Sequence, residues 1–150
     1  MSTLLIKNAR FVVSCDDDDT LYERVNLFIR DGVIVSIGPD YHQADTVLDA
    51  SSMVVYPGLI NTHHHLYQIF SRNLPEVQKM ELFPWLVTLY EVWKGLDEEV
   101  VRWSSLTGFG ELLKTGCTTC FDHHYVFPHG AGDLIAAQFR SASQAGIRFV

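Results

Sequence analysis

From Leu59 onward, short apolar runs alternate with amphipathic ones, and this alternation restricts the fold more than any other feature of the chain. "LINTHHH" (59–65) reads as a strand that begins apolar and ends polar. Two helical patterns follow. The first covers 83–94, with Pro84 in the first turn, where a proline is tolerated. The second covers 97–115, with Asp97 as N-cap and acids in the first turn. Gly116 stops that helix, "CTTCFD" (117–122) reads as a second strand, 132–145 as a helix stopped by Gly146, and "IRFV" as the opening of a third strand. Strand, helices, strand, helix, strand is the order of a parallel α/β architecture. A parallel sheet buries both faces, so a chain ending inside its third strand is expected to be part of a longer one. A (β/α)8 TIM-type barrel takes about 250 residues, and 58–150 would supply about three of its eight strands.

Before Pro57-Gly58 the texture is different. "TLLIKNARFVV" (3–13) reads as a strand. "VNLFIR" and "VIVSIG" flank Asp31-Gly32, a strong hairpin signal. "DTVLDASSMVVYPG" adds a further pair of short strands. Residues 1–57 are therefore expected to be a β-rich unit of short, hairpin-joined strands, and 58–150 a separate α/β unit. The acidic run at 16–19, "DDDD", lacks the alternating acids, glycine and closing glutamate of a calcium loop, and reads as a solvated turn.

Charge excludes some functions. With 11 basic and 18 acidic side chains, the net charge is −7 and there is no basic stripe for nucleic-acid phosphates or an anionic membrane. The first residues, "MSTLLIKNARFVV", lack the charged, apolar and small-residue regions of a signal peptide, and no run of eighteen apolar residues occurs. Three cysteines, Cys15, Cys117 and Cys120, are too few and too odd for a disulfide framework, which points to a reducing compartment, the cytoplasm.

The run of three histidines carries the chemistry. In a strand, side chains alternate between faces, so Leu59, Asn61, His63 and His65 share one face while Ile60, Thr62 and His64 share the other. Two imidazoles two residues apart at a strand end suit one zinc ion, with His64 as bystander. A surface histidine cluster is the competing reading of the same pattern. In "CTTCFDHHYVFP", Cys117 and Cys120 differ by three, so they are expected on opposite faces as buried free thiols rather than in a zinc knuckle. Cys117, Thr119, Phe121 and His123 share a face, which brings His123 out at the strand's C-terminal end as a hydrogen-bonding partner for substrate or as a structural residue. His124 is expected to be structural, Asp122 to orient a neighbour, and His42 and His129 to lie on the surface. Trp85, Leu86, Leu89 and Trp93 read as one buried helix face.

"YPGLINTHHHLYQ" resembles the Pro-Gly-aliphatic-aliphatic-[Asp/Asn]-x-His-x-His signature of the amidohydrolase superfamily, in its branch of chlorotriazine hydrolases and purine or pterin deaminases. "RNLP…LFPWL…LYEVW" is similar to the insertion after barrel strand one, and "GCTTCFDHHYVFP" to strand two and its loop. Residues 1–57 look like the N-terminal part of the β-sandwich that flanks the barrel in this branch. "HHHLYQ" with "DHHYVFP" most closely resembles the 8-oxoguanine deaminases, with isoxanthopterin deaminases and hydroxyatrazine hydrolases near by.

The resemblance implies a metal-dependent hydrolytic deaminase of a purine-like heterocycle, best matched by conversion of 8-oxoguanine to urate and ammonia through metal-activated hydroxide. Guanine, isoxanthopterin and hydroxytriazine are the alternative substrates. It implies His63 and His65 as ligands to one divalent ion, zinc with iron as the alternative, and places the remaining ligands and the catalytic Glu, His and Asp beyond Val150. Gln68, three residues past His65, would meet the substrate with a carboxamide that offers donor and acceptor; an exposed loop glutamine is the plain alternative, and Tyr67 beside it reads as packing. The expected partner is a small heterocycle, not nucleic acid or membrane, and a homo-oligomer is compatible with the resemblance. A non-catalytic metal-binding module on the same fold, or a stand-alone binding protein, would lack the later Glu, His and Asp.

Overall fold

A computed structural model describes residues 1–150, which divide into two compact units, Met1–Pro57 and Gly58–Val150. In the first, β1 (Thr3–Val13), β2 (Leu21–Arg30), β3 (Val33–Gly38), β4 (Thr46–Asp49) and β5 (Val54–Val55) form one sheet in the order β3-β2-β1-β4, with β5 also on β1. The β2–β3 hairpin closes on Asp31 (φ 49°) and Gly32 (φ 80°), the two positive φ angles that a two-residue turn needs to match strand twist. Ala9, Val12, Leu27 and Ala50 form the buried core of the sheet.

The expectation that hairpins join all these strands is corrected at β4 and β5. Both run parallel to β1, with Leu4 opposite Thr46 and Phe11 opposite Val54. They lie along one edge of β1, interrupted by a turn in which Arg10 N donates to the carbonyls of Ala50 (3.2 Å) and Met53 (3.1 Å). A second correction concerns His42, which is half-buried and stacks on Phe28 with ring centroids 4.5 Å apart; His129 is exposed. The acidic run is an exposed turn closed by Thr20 N donating to Asp16 Oδ1 at 2.8 Å.

In the second unit, β6 (Leu59–His64), β7 (Cys117–Asp122) and β8 (Arg148–Phe149) form a parallel sheet in chain order. Between them run α1 (Leu82–Trp93), α2 (Glu98–Lys114) and α3 (Leu134–Ala145). This is the arrangement of the opening strands and helices of a (β/α)8 barrel. The helix starts follow side-chain chemistry: Asp97 accepts from Val100 N (2.8 Å) and Asp133 from Ala136 N (2.9 Å), each satisfying an amide with no partner inside its helix.

Leu89 and Trp93 of α1 are buried with Tyr67, Val101, Val126 and Leu134, and Trp85 and Leu86 pack against that cluster. The helix face foreseen from spacing is therefore core. Trp93 Nε1 donates to Ser71 Oγ at 3.1 Å, which satisfies the one polar atom of a fully buried side chain. A second cluster, Leu66, Phe109, Cys120, Ala142 and Ile147, ties β7 to α2 and α3. The segment after His65, expected as loop, is a 3-10 turn over Leu66–Ser71, followed by another over Pro75–Val77. No helix is long and apolar enough to cross a membrane.

Candidate active site

β6 does not keep strict alternation. Its pairing with β7 skips one residue of β7 between Leu59↔Cys117 and Ile60↔Thr119, and one residue of β6 between Asn61↔Cys120 and His64↔Asp122. Each skip is a bulge, which re-aims the side chains that follow it. Within the second, His63 N donates to Asn61 Oδ1 at 3.1 Å. Beyond it, His63 and His65 converge, with Nε2···Nε2 at 3.1 Å. His64 does not join the pair: it is half-buried, its Nδ1 is enclosed without a partner, and burial holds its pKa below the usual imidazole range. Cys117 and Cys120 are both buried and free, as their spacing predicts. Burial pushes the Cys120 thiol up to about 12, which keeps it a neutral packing group.

The end of β7 holds the histidine pair from the side. His123 N donates to the His64 carbonyl at 2.8 Å, and the His65 ring meets the His123 carbonyl through Nδ1 at 2.7 Å. A carbonyl only accepts, so His65 carries its proton on Nδ1 and presents an Nε2 lone pair. The His123 ring stacks on that of His63, centroids 4.3 Å apart and 23° from parallel. His123, which the sequence offers as a substrate partner or a structural residue, orients His65 through its backbone and keeps its ring exposed against that of His63.

Asp122 does orient a neighbour: its Oδ1 accepts from Leu66 N at 2.7 Å and its Oδ2 from Gln138 Nε2 at 2.7 Å. His124 is structural in its contacts, with Nε2 against the Val126 carbonyl at 2.9 Å and its ring 4.8 Å from that of Tyr67.

A cavity of about 250 Å³ opens beside the histidines, lined by His63, His64, His65, Gln68, Ile69 and Arg72. Gln68 is half-buried, and its Nε2 lies 3.1 Å from both Tyr67 Oη and Tyr125 Oη. Tyr67 is buried, and desolvation raises its phenol far above the ordinary value. Arg72 forms a two-pronged ion pair with Glu111, both contacts at 2.9 Å, which raises the guanidinium pKa and lowers that of the carboxyl.

Sequence reasoning missed Tyr125, Gln138 and the Arg72–Glu111 pair. One signal was available for Gln138, a polar residue spaced onto the apolar face of α3 with Leu134, Ala137, Ser141 and Ala142. Side chains of three or more His, Cys, Asp or Glu residues do not group anywhere in the structure in a way that could hold an ion.

Comparison with known proteins places this geometry in context. Residues 54–150 match the amidohydrolase family. Hydroxydechloroatrazine ethylaminohydrolase of Pseudomonas sp. strain ADP is 35% identical over 163 residues, an alignment covering 99% of this chain and 34% of that protein. The 8-oxoguanine deaminase of Pseudomonas aeruginosa is 43% identical over 126 residues, covering 81% of this chain and 28% of that protein. Among solved structures, atrazine chlorohydrolase from Arthrobacter aurescens TC1 complexed with zinc superposes with a TM-score of 0.91 at 30% identity, over 97% of this chain and 34% of that one. The chain thus spans about a third of the length of the relatives it matches.

Proposed function

Because the chain belongs to the amidohydrolase family, we propose that the protein is a metal-dependent aminohydrolase acting on a purine-like heterocycle, with His63 and His65 as its first two metal ligands. One observation carries this reading: the Nε2 atoms of His63 and His65 meet at 3.1 Å while His65 Nδ1 is taken up by the His123 carbonyl. Zinc–imidazole bonds are about 2.0–2.1 Å, so two ligands of a tetrahedral ion stand about 3.3 Å apart, and the donor set fits zinc. The remaining ligands, and the carboxylate that carries the proton to the leaving nitrogen, we assign to residues outside 1–150.

A bound zinc ion supplies the Lewis acidity that makes water nucleophilic near neutral pH. The chain's own residues do the rest of the work assigned here. His123 holds the His65 tautomer, and Gln68, anchored by two phenols beside the cavity, hydrogen-bonds the edge of the heterocycle. The exposed His123 ring, stacked on that of His63, is a second candidate contact for the substrate.

8-Oxoguanine is the substrate we favour, supported by 43% identity to the enzyme named for it. A hydroxytriazine is the second reading, supported by likeness to the ethylaminohydrolase over 99% of this chain. Two buried free thiols support work in a reducing compartment, the cytoplasm. The test is release of ammonia or alkylamine by the full-length zinc-loaded protein from 8-oxoguanine, guanine, isoxanthopterin and a hydroxytriazine. Turnover greatest on 8-oxoguanine is expected. Failure on all four would reject the substrate class.

A further inference from the structure

We propose that Gln138 and Asp122 are positioning residues for the metal-binding imidazole of His65, an inference that rests on the metal-pair reading above. His65 sits between strand and 3-10 turn at φ −134° and ψ 79°, outside both regular structures. Its carbonyl accepts the first bond of the 3-10 turn, from Gln68 N at 3.0 Å, so its ring direction depends on that turn and on what grips the residues on either side. Three further grips come from Asp122, the last residue of β7, and from His123, which follows it. His123 N binds the His64 carbonyl, the His123 carbonyl takes His65 Nδ1, and Asp122 Oδ1 takes Leu66 N. Residues 64, 65 and 66 are thus held at successive points.

The Asp122 carboxylate is itself aimed by Gln138, whose amide nitrogen sits 2.7 Å from Oδ2. Only the nitrogen end of a carboxamide can face a carboxylate, so the orientation of Gln138 is unambiguous. Gln138 is 1% exposed, on a helix face otherwise made of Leu134, Ala137, Ser141 and Ala142. An apolar side chain would fill that volume without the cost of burying an amide. The contact that repays the cost runs through Asp122 to the residue following His65, because Leu66 is fully buried and cannot be held by water instead. Supporting partners of this kind orient a ligating ring and set its metal affinity.

The test uses full-length protein, with zinc affinity measured by chelator competition and geometry by the visible spectrum of the cobalt(II)-substituted form. Gln138→Met removes the donor at similar volume. It is expected to weaken zinc about tenfold or more and to alter the cobalt spectrum. Ser141→Ala, on the same buried face of α3, is expected to move neither. Asp122→Asn keeps an acceptor for Leu66 N, and a turned Gln138 amide can accept from it, so it is expected to retain near-normal affinity. Unchanged affinity and spectrum in Gln138→Met would overturn the proposal.

Should that variant fail to fold, hydrogen exchange in the unmodified protein decides: the Leu66 amide must be protected, and free exchange there would equally overturn it. The earlier reading is tested separately, by whether the unmodified protein binds zinc at all. If it does not, both readings fall. If it does and Gln138→Met binds equally well, only the positioning role fails.

Discussion

Replacing Gly58 with alanine probes how β6 is seated against β7. A Cβ at that position would lie 2.0 Å from Thr118 Oγ1, 2.4 Å from its Cγ2 and 2.7 Å from its Cβ. Apolar atoms rest about 3.5–4.0 Å apart, so the strands must part or slide by about 1 Å. Turning Thr118 about χ1 moves Oγ1 and Cγ2 but not Cβ, so no rotamer clears the overlap. Thr118 is also the residue skipped in the β6–β7 register, which brings it against the start of β6. Overpacking of this kind costs about 1–3 kcal/mol. The reduced freedom of alanine in the unfolded chain returns about 0.4–1 kcal/mol. The net expectation is a loss of about 1–2 kcal/mol, or a fall of roughly 1 M in the urea midpoint for an m-value of about 1–3 kcal/mol/M.

The assay is a double-mutant cycle followed by far-UV circular dichroism. Thr118→Gly removes all three clashing atoms, so Gly58→Ala should cost almost nothing in that background, a coupling of about 1–2 kcal/mol. Equal losses in both backgrounds would refute the close-approach argument for this glycine.

Two further predictions follow from the histidines. His63→Ala and His65→Ala should each abolish stoichiometric zinc uptake measured by metal analysis after dialysis, whereas His64→Ala should keep it; equal loss at all three would refute the pairing of the outer two. His124 is held below the ordinary value of 6.5, first by burial, with the Val126 carbonyl pulling the other way. The unfolded chain therefore takes up a proton near pH 6.5 that the folded chain resists, so stability should fall as pH drops through that value and level off above it. His64 contributes in the same direction. Urea midpoints between about pH 7.5 and 5.5 should show the fall, and His124→Gln should flatten it; an unchanged slope in that variant would remove His124 from the account.

Legibility from sequence followed the range of the interactions involved. The helices were readable because Asp97, Gly116 and Gly146 mark their ends through local backbone chemistry, and because Leu89 and Trp93 recur at helical spacing. The β2–β3 hairpin was readable for the same reason, since Asp31-Gly32 supplies the turn by itself. The parallel pairing of β4 and β5 on β1 was not, because nothing within "DTVLDASSMVVYPG" says which edge it meets. Nor were the bulges at Thr118 and after Asn61, since a skipped residue exists only relative to a partner strand.

The site divides along the same line. The sequence alone determined that two imidazoles two residues apart stand at the end of an apolar strand, because spacing along a chain is a covalent property, and the motif around them carried the family. Only the tertiary structure decided what makes that pair usable. His123 lends a backbone carbonyl to His65 across 58 residues, Asp122 grips Leu66 across 56, and Tyr125 meets Gln68 across 57. Each contact needs β7 beside β6, an arrangement maintained by the buried packing of Leu66, Phe109 and Cys120 and encoded in no single stretch of the chain.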